Sequence, residues 1–172
     1  FYENYPWIPT VSQLINDIYN ANIPIFGVCF GHQLIAQALG GRVEKSIKGW
    51  GLGLHTYEIN NKADYMGNLS EEVTLNICHQ DQVLEVPEGA TIYARSQFCE
   101  NAGFYIKDKV LTMQAHPEFL VDFIKALLNA RRDVTIPKEF VDPALVKLNS
   151  YPDTVQSNQF AETIRKFFQV RF

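Results

Sequence analysis

Ile23-Pro24-Ile25-Phe26-Gly27-Val28-Cys29-Phe30-Gly31-His32-Gln33 is the stretch on which the reading of this chain turns. Ile23 to Val28 has the length and apolar character of a short buried strand. Pro24 stands near its start, where a missing N–H is tolerated. Gly31 to Leu39 then reads as a helix with Leu34, Ile35 and Ala38 on one face. Gly40-Gly41 is a natural stop, because glycine accepts the left-handed conformation at a helix C-terminus. Cys29 therefore falls at a strand-to-helix turn with glycines two residues before and two after it. That is the pattern of a nucleophile elbow with cysteine in place of serine. A turn this tight is expected to exclude bulk at both flanking positions and to lift the thiol off the sheet edge. The positive end of the following helix predicts a stabilised thiolate. The Phe30 N–H is expected to face the place where an oxyanion forms. An isolated cysteine at a strand end is more often a packing residue, and the two flanking glycines argue against that here.

A thiol nucleophile needs a base. Gln114-Ala115-His116-Pro117-Glu118 ends a predicted strand and supplies one. Pro117 stiffens the turn, and Glu118 is placed to orient the His116 imidazole through its other nitrogen. This is the base-and-orienter logic of a catalytic triad.

Around these two segments the chain alternates helix and strand. Val11, Leu14, Ile15 and Ile18 recur at helical spacing and end at Asn20-Ala21-Asn22. Residues 54–59, 73–78, 90–94 and 110–115 read as strands separated by Gly, Asn and Asp signals. This middle stretch suits antiparallel pairing. Leu120, Phe123, Ile124, Leu127 and Leu128 form an amphipathic helix closed by Arg131-Arg132, which suits the negative helix end. Residues 133–158, with Pro137, Pro143 and Pro152, read as loop. Phe160, Ile164, Phe167 and Phe168 mark a last helix that docks on the core. The order of elements predicts an α/β architecture.

Composition bounds the function. The chain has 172 residues, suited to one domain that folds without disulfide or metal. Lys and Arg total 15 against 19 Asp and Glu, a net charge of −4. With no basic run, nucleic acid is a poor partner, and no stretch is apolar for long enough to span a membrane. Cys29, Cys78 and Cys99 are odd in number and lack a CxxC pair, which predicts a reducing, cytoplasmic setting. The start, Phe1 to Pro6, has neither the basic nor the apolar part of a signal peptide.

The elbow with His32-Gln33, the downstream Gln-x-His-Pro-Glu and the intervening His79-Gln80-Asp81-Gln82-Val83 together resemble the class I (triad) glutamine amidotransferases. The middle run is similar to the Ser-His-x-Asp-x-Val segment of the GMP synthase glutaminase domain and to stand-alone relatives such as plant γ-glutamyl peptidases. The resemblance covers about Trp7 to Glu118. It implies an open, largely parallel, three-layer flavodoxin-like α/β sheet with a small antiparallel portion. Residues 1–132 are then the amidotransferase domain, and residues 133–172 are its C-terminal loop and docking helix. The family has further βα structure before the segment matching Tyr5-Pro6-Trp7-Ile8, including a glycine loop with a second oxyanion donor. The resemblance implies that this span, taken alone, lacks those strands and is poorly active.

By the same resemblance Cys29 is the nucleophile, His116 the base and Glu118 its holder. Glutamine is hydrolysed through a γ-glutamyl thioester to glutamate and ammonia, without a cofactor or metal. Phe30 supplies an oxyanion donor, and Gln33, His79, Gln80 and Asp81 hold substrate. A synthetase partner that accepts ammonia is implied by the family's usual arrangement. Two residues depart from the family pattern: Cys78 stands where Ser is usual, and Thr112 where a small residue, often Gly, is common.

Three other readings compete. A γ-glutamyl peptide hydrolase uses the same triad and differs only in the leaving amine. A redox or binding module uses the thiol alone. A metal site draws on Cys29, His32, Cys78 and His79, but their spacing is not that of a zinc finger. His32 reads as a structural side chain. His79 reads equally as a pocket residue or a loop tie, and Trp50, between two glycines, as a loop residue over the site.

Overall fold

The computed structural model describes residues 5–150 and 155–169. Phe1 to Asn4 and the predicted loop residue Pro152 lie outside them. The elements run α1 (Ile8–Asn20), β1 (Ile25–Val28), α2 (Phe30–Ala38), β2 (Arg42–Lys45), β3 (Gly51–Ile59), β4 (Glu72–His79), β5 (Asp81–Glu85), β6 (Thr91–Arg95), β7 (Gly103–Ile106), β8 (Val110–Met113), α3 (Val121–Arg131), α4 (Lys138–Ser150) and α5 (Ser157–Gln169). A six-stranded sheet has the order β1-β8-β7-β6-β3-β4, and β2 and β5 form a separate two-stranded ribbon.

The α/β class holds, with helices against both faces of the sheet. The antiparallel share is larger than expected. Only β1 and β8 run parallel among the described strands; the other four neighbouring pairs of the large sheet are antiparallel. Connections set this. The turn between β7 and β8 spans three residues, Lys107 to Lys109, and so short a link joins only antiparallel strands. The β1–β8 pair is the exception because the long stretch 29–109 intervenes between its members.

Period-two alternation divides the core. On β3, Leu52 and Leu54 face α3 and α4, packing on Ile124, Leu128, Val141 and Leu148. Tyr57 and Ile59, of opposite parity, join the cluster that α5 covers with Phe160 and Phe167. Each of those two phenylalanines is fully buried, which is worth roughly 1.5–3 kcal/mol. On the far face, Ile15 of α1 and Leu34 and Ile35 of α2 pack on Phe104, Val110 and the ribbon's Val43 and Val83.

Within residues 133–158 the expected loop gives way to helix over 138–150 and again from Ser157. Residues 138–150 form α4 despite Pro143 inside it. Pro143 removes one backbone donor, but the helix is held from outside. The Lys138 N–H donates to Asp133 Oδ1 at 3.1 Å, Arg132 makes a two-pronged contact with Asp142, and Lys147 Nζ donates to the Leu54 carbonyl at 2.6 Å. Tertiary packing, not propensity, carries such a helix.

His32 is fully buried against Phe104, with its Nδ1 2.9 Å from the Thr112 hydroxyl. The same hydroxyl donates to the Phe104 carbonyl and accepts from the Phe104 N–H. The threonine that departs from the family pattern thus ties β7, β8 and α2 together, and His32 is structural. Burial pulls the His32 pKa down to about 3 and that of His79 to about 4. Both rings are neutral in the fold and protonate near 6.5 when unfolded. Their depressed values therefore favour the fold above pH 6.5, and that contribution is lost as pH falls towards 4 and then 3. Urea midpoints at pH 7, 5.5 and 4.5 are expected to fall steadily; a flat profile would contradict the neutral burial of these rings.

Candidate active site

Strand β1 runs directly into the elbow. The Cys29 N–H donates to the Met113 carbonyl at 2.8 Å, continuing the β1–β8 ladder by one residue. Helix α2 then starts at Phe30, with Cys29 as its cap at φ 49° and ψ −102°. An L-residue held there stores about 1–3 kcal/mol of strain, and such strain gathers at functional sites. A side chain at Gly27 would lie 2.8 Å from the Gly31 backbone and 2.5 Å from Ile35 Cδ1. Only Gly27 is required by space. A Cβ at Gly31 meets nothing within 4 Å among the described residues, contrary to the expectation for both glycines.

The thiol is not a resting thiolate. Burial pushes the Cys29 pKa up to about 12, with the nearby Cys78 and Glu118 adding to the rise. The Phe30 N–H at the start of α2 and the Gln114 amide pull the other way, and desolvation outweighs them. The expected pull of the helix N-terminus is present but too weak to leave the sulfur charged. Gln114 Nε2 lies 3.6 Å from Cys29 Sγ, and its Oε1 accepts from Gln33 Nε2 at 3.0 Å. Gln33 Nε2 also donates to the Asp81 carbonyl at 2.7 Å. Three separate chain segments are thereby tied to one sulfur.

His116 follows β8 and is fixed on three sides. Its Nδ1 lies 2.6 Å from Glu118 Oε1, its ring stacks on Phe119 with centroids 3.8 Å apart, and its N–H donates to the Asn76 carbonyl at 2.8 Å. Asn76 also donates from its side chain to the Phe119 carbonyl at 2.9 Å. Strand β4 thus grips the turn carrying His116 at two points. With Nδ1 turned to the carboxylate, Nε2 is the nitrogen left for chemistry.

Cys29, Phe30, Gln33, His79, Gln80 and Asp81 all line one cavity of about 420 Å³. His116 and Glu118 are not among its lining residues; Glu118 borders a neighbouring hollow with Val28 and Ala161. His79 lines the cavity, and its Nδ1 donates to the Asp81 carbonyl at 3.0 Å. Trp50 lines the cavity as the expected loop residue. Lys45, Cys78 and Arg131 also line it, although their sequence surroundings carry no sign of substrate contact. Gln114 stands inside the Gln-x-His-Pro-Glu motif, yet its place beside the sulfur has no signal beyond that. No group of three or more His, Cys, Asp or Glu among the described residues is arranged to hold a metal, and no described helix is long and apolar enough to cross a membrane.

Comparison with known proteins agrees with this architecture. The chain superimposes on a glutamine amidotransferase from Thermotoga maritima with a TM-score of 0.82, covering 98% of this chain and 73% of that one. Identity there is 23%, so the likeness is one of fold. γ-Glutamyl peptidase 3 of Arabidopsis thaliana is 34% identical over 148 residues, 80% of this chain and 58% of the relative. A glutamine-hydrolysing GMP synthase subunit from Methanocaldococcus jannaschii is 35% identical over 114 residues, 66% of this chain and 60% of the relative. The chain spans little more than half the length of these curated relatives. The family model for glutamine amidotransferase class-I matches residues 4–125, and the chain belongs to that family.

Proposed function

We propose that this protein hydrolyses γ-glutamyl amide bonds through a thioester on Cys29, the side-chain amide of glutamine being the simplest substrate. The observation that carries the reading is the strained elbow, which sets Cys29 on a substrate-sized cavity with Gln114 on its sulfur.

Because the thiol is neutral at rest, attack and proton removal go together. His116 Nε2 takes the thiol proton as sulfur bonds to the amide carbon. Glu118 steadies the imidazolium that results. The Phe30 N–H, already directed at the sulfur, stabilises the oxyanion. As the C–N bond breaks, His116 returns the proton to the leaving amine. Water then adds to the thioester with His116 again as base, the C–S bond breaks, and glutamate leaves with the thiol restored. Gln33, His79, Gln80 and Asp81 orient the γ-glutamyl half.

The test is to trap the thioester. Acid-quenched protein incubated with a γ-glutamyl substrate should carry a γ-glutamyl mass on the peptide containing Cys29. An adduct on Cys78 or Cys99, or turnover without any adduct under single-turnover conditions, would overturn the assignment. A second reading, a γ-glutamyl peptidase, is favoured by the 34% identity to γ-glutamyl peptidase 3 of Arabidopsis thaliana. The similarity to the Methanocaldococcus jannaschii GMP synthase protein is what supports a synthetase partner that takes up ammonia; the peptidase reading needs none.

A further inference from the structure

Free glutamine presents one ammonium and one carboxylate. The cavity in front of Cys29 carries two cationic side chains, Lys45 and Arg131, on its described lining. Its ionisable lining comprises Lys45, Arg131 and Asp81, together with Cys29, Cys78 and His79. Burial raises both thiols and lowers the imidazole, so these three are uncharged at neutral pH. Among the described lining residues two cations stand beside one carboxylate, and the Glu118 carboxylate is within electrostatic reach of Cys29 from the neighbouring hollow. Lys45 faces Asp81 directly across the β2–β5 ladder. Even if those two offset each other, Arg131 is left over.

Arg131 differs from its neighbour. Arg132 is committed to Asp142 at 2.6 and 2.9 Å. Arg131, the last residue of α3, has no carboxylate within ion-pair distance among the described residues. Its charge reaches the cavity wall, where it pulls the Cys78 thiol down against the effect of burial. An unpaired guanidinium on a cavity is suited to bind a planar anion with two parallel hydrogen bonds.

We propose that Arg131 and Lys45 are specificity-determining residues that recognise a carboxylate on the leaving amine, so that γ-glutamyl amino acids or peptides are preferred over glutamine. This rests on the reading that Cys29 cleaves γ-glutamyl amides. The γ-glutamyl half brings the same ammonium and carboxylate in every case. A leaving amino acid adds one further carboxylate, which would give Arg131 the partner it lacks among the described residues. The cavity volume fits the larger ligand as well.

The experiment compares three substrates of the intact protein: γ-glutamylglycine, γ-glutamylglycinamide and glutamine. The first two differ only in the carboxylate. The expected kcat/KM is about tenfold higher for the acid than for the amide, the ratio that a charge-assisted contact of about 1.4 kcal/mol supplies. Arg131→Gln should bring that ratio close to one, Lys45→Gln should lower it by a smaller factor, and Arg131→Lys should keep most of it. Raising the salt to roughly 0.5 M should shrink the wild-type ratio, since rim charges are screened. Both positions are exposed, so the variants are expected to fold. An acid-to-amide ratio unchanged in Arg131→Gln and Lys45→Gln overturns the proposal. Equal losses on all three substrates also overturn it, assigning the cations to the shared γ-glutamyl carboxylate. Absence of turnover of all three by the unaltered protein overturns the underlying reading, and this one with it.

Discussion

Cys29→Ala is expected to lower γ-glutamyl amide hydrolysis by about 10⁴-fold or more, because the other thiol on the cavity, Cys78, is not set at the elbow against the Phe30 N–H and the Gln114 amide. The loss should lie in kcat, with KM little changed, since the thiol contributes least to ground-state binding. Cys29→Gly should be equally inactive but more stable than Cys29→Ala by about 1 kcal/mol. Both variants lack the sulfur. They differ in that alanine keeps the cost of φ 49°, whereas glycine adopts that conformation without penalty. The chain entropy that glycine gains when unfolded offsets part of the difference. Urea unfolding of the two variants, with ammonia or amine release measured in parallel, checks both claims. An alanine variant more stable than the glycine variant would mean that the elbow carries no strain.

Gly27→Ala is the second large effect. Its Cβ would press on the Gly31 backbone at 2.8 Å, and backbone cannot swing aside as a flexible side chain does. Strand β1 and helix α2 must separate by several tenths of an ångström. A cost of about 2–3 kcal/mol is expected, and the shift moves the sulfur away from its Gln114 contact. Activity should therefore fall by at least about a hundredfold, since misplacement of reacting groups on the order of an ångström costs that much. Gly31→Ala is the matched control, with open space at its Cβ and little expected loss. Denaturation midpoints and kcat/KM for the pair would settle it. Equal effects at the two glycines would show that the turn is not tight at Gly27.

The contrast between those glycines shows how far the sequence could be read. Gly27 and Gly31 look alike as letters. Only the crossing of β1 over α2 distinguishes the one that touches backbone from the one that faces space. The elbow, the His116-Glu118 pair and the long strands were legible because their patterns are local. Strand β2 was not: Arg42-Val43-Glu44-Lys45 has one buried residue in four, Val43. Its partner β5 was hidden inside a functional motif, and β7 is only four residues long. Helix α4 was concealed by Pro143, because what holds it lies at Asp133, Arg132 and Leu54, remote from its own local pattern. The thiolate expectation failed for a related reason. The helix N-terminus is visible in the sequence, whereas the burial that outweighs it is a property of the packed fold.

The β2–β5 ribbon shares no ladder with the large sheet among the described residues; it continues from β4 through Gln80 and packs on the sheet around Val43 and Val83. The groups proposed to break the bond sit at the ends of β1 and β8. Lys45 and Asp81 sit on the ribbon, and Arg131 ends a helix on another side of the cavity. Side-chain changes at Lys45 and Arg131 can therefore exchange one accepted amine for another while the Asp81 carbonyl keeps its hold on Gln33 and the ladder under Cys29 keeps its register. Inheritance can conserve the chemistry in one part of the chain and diversify the clientele in another.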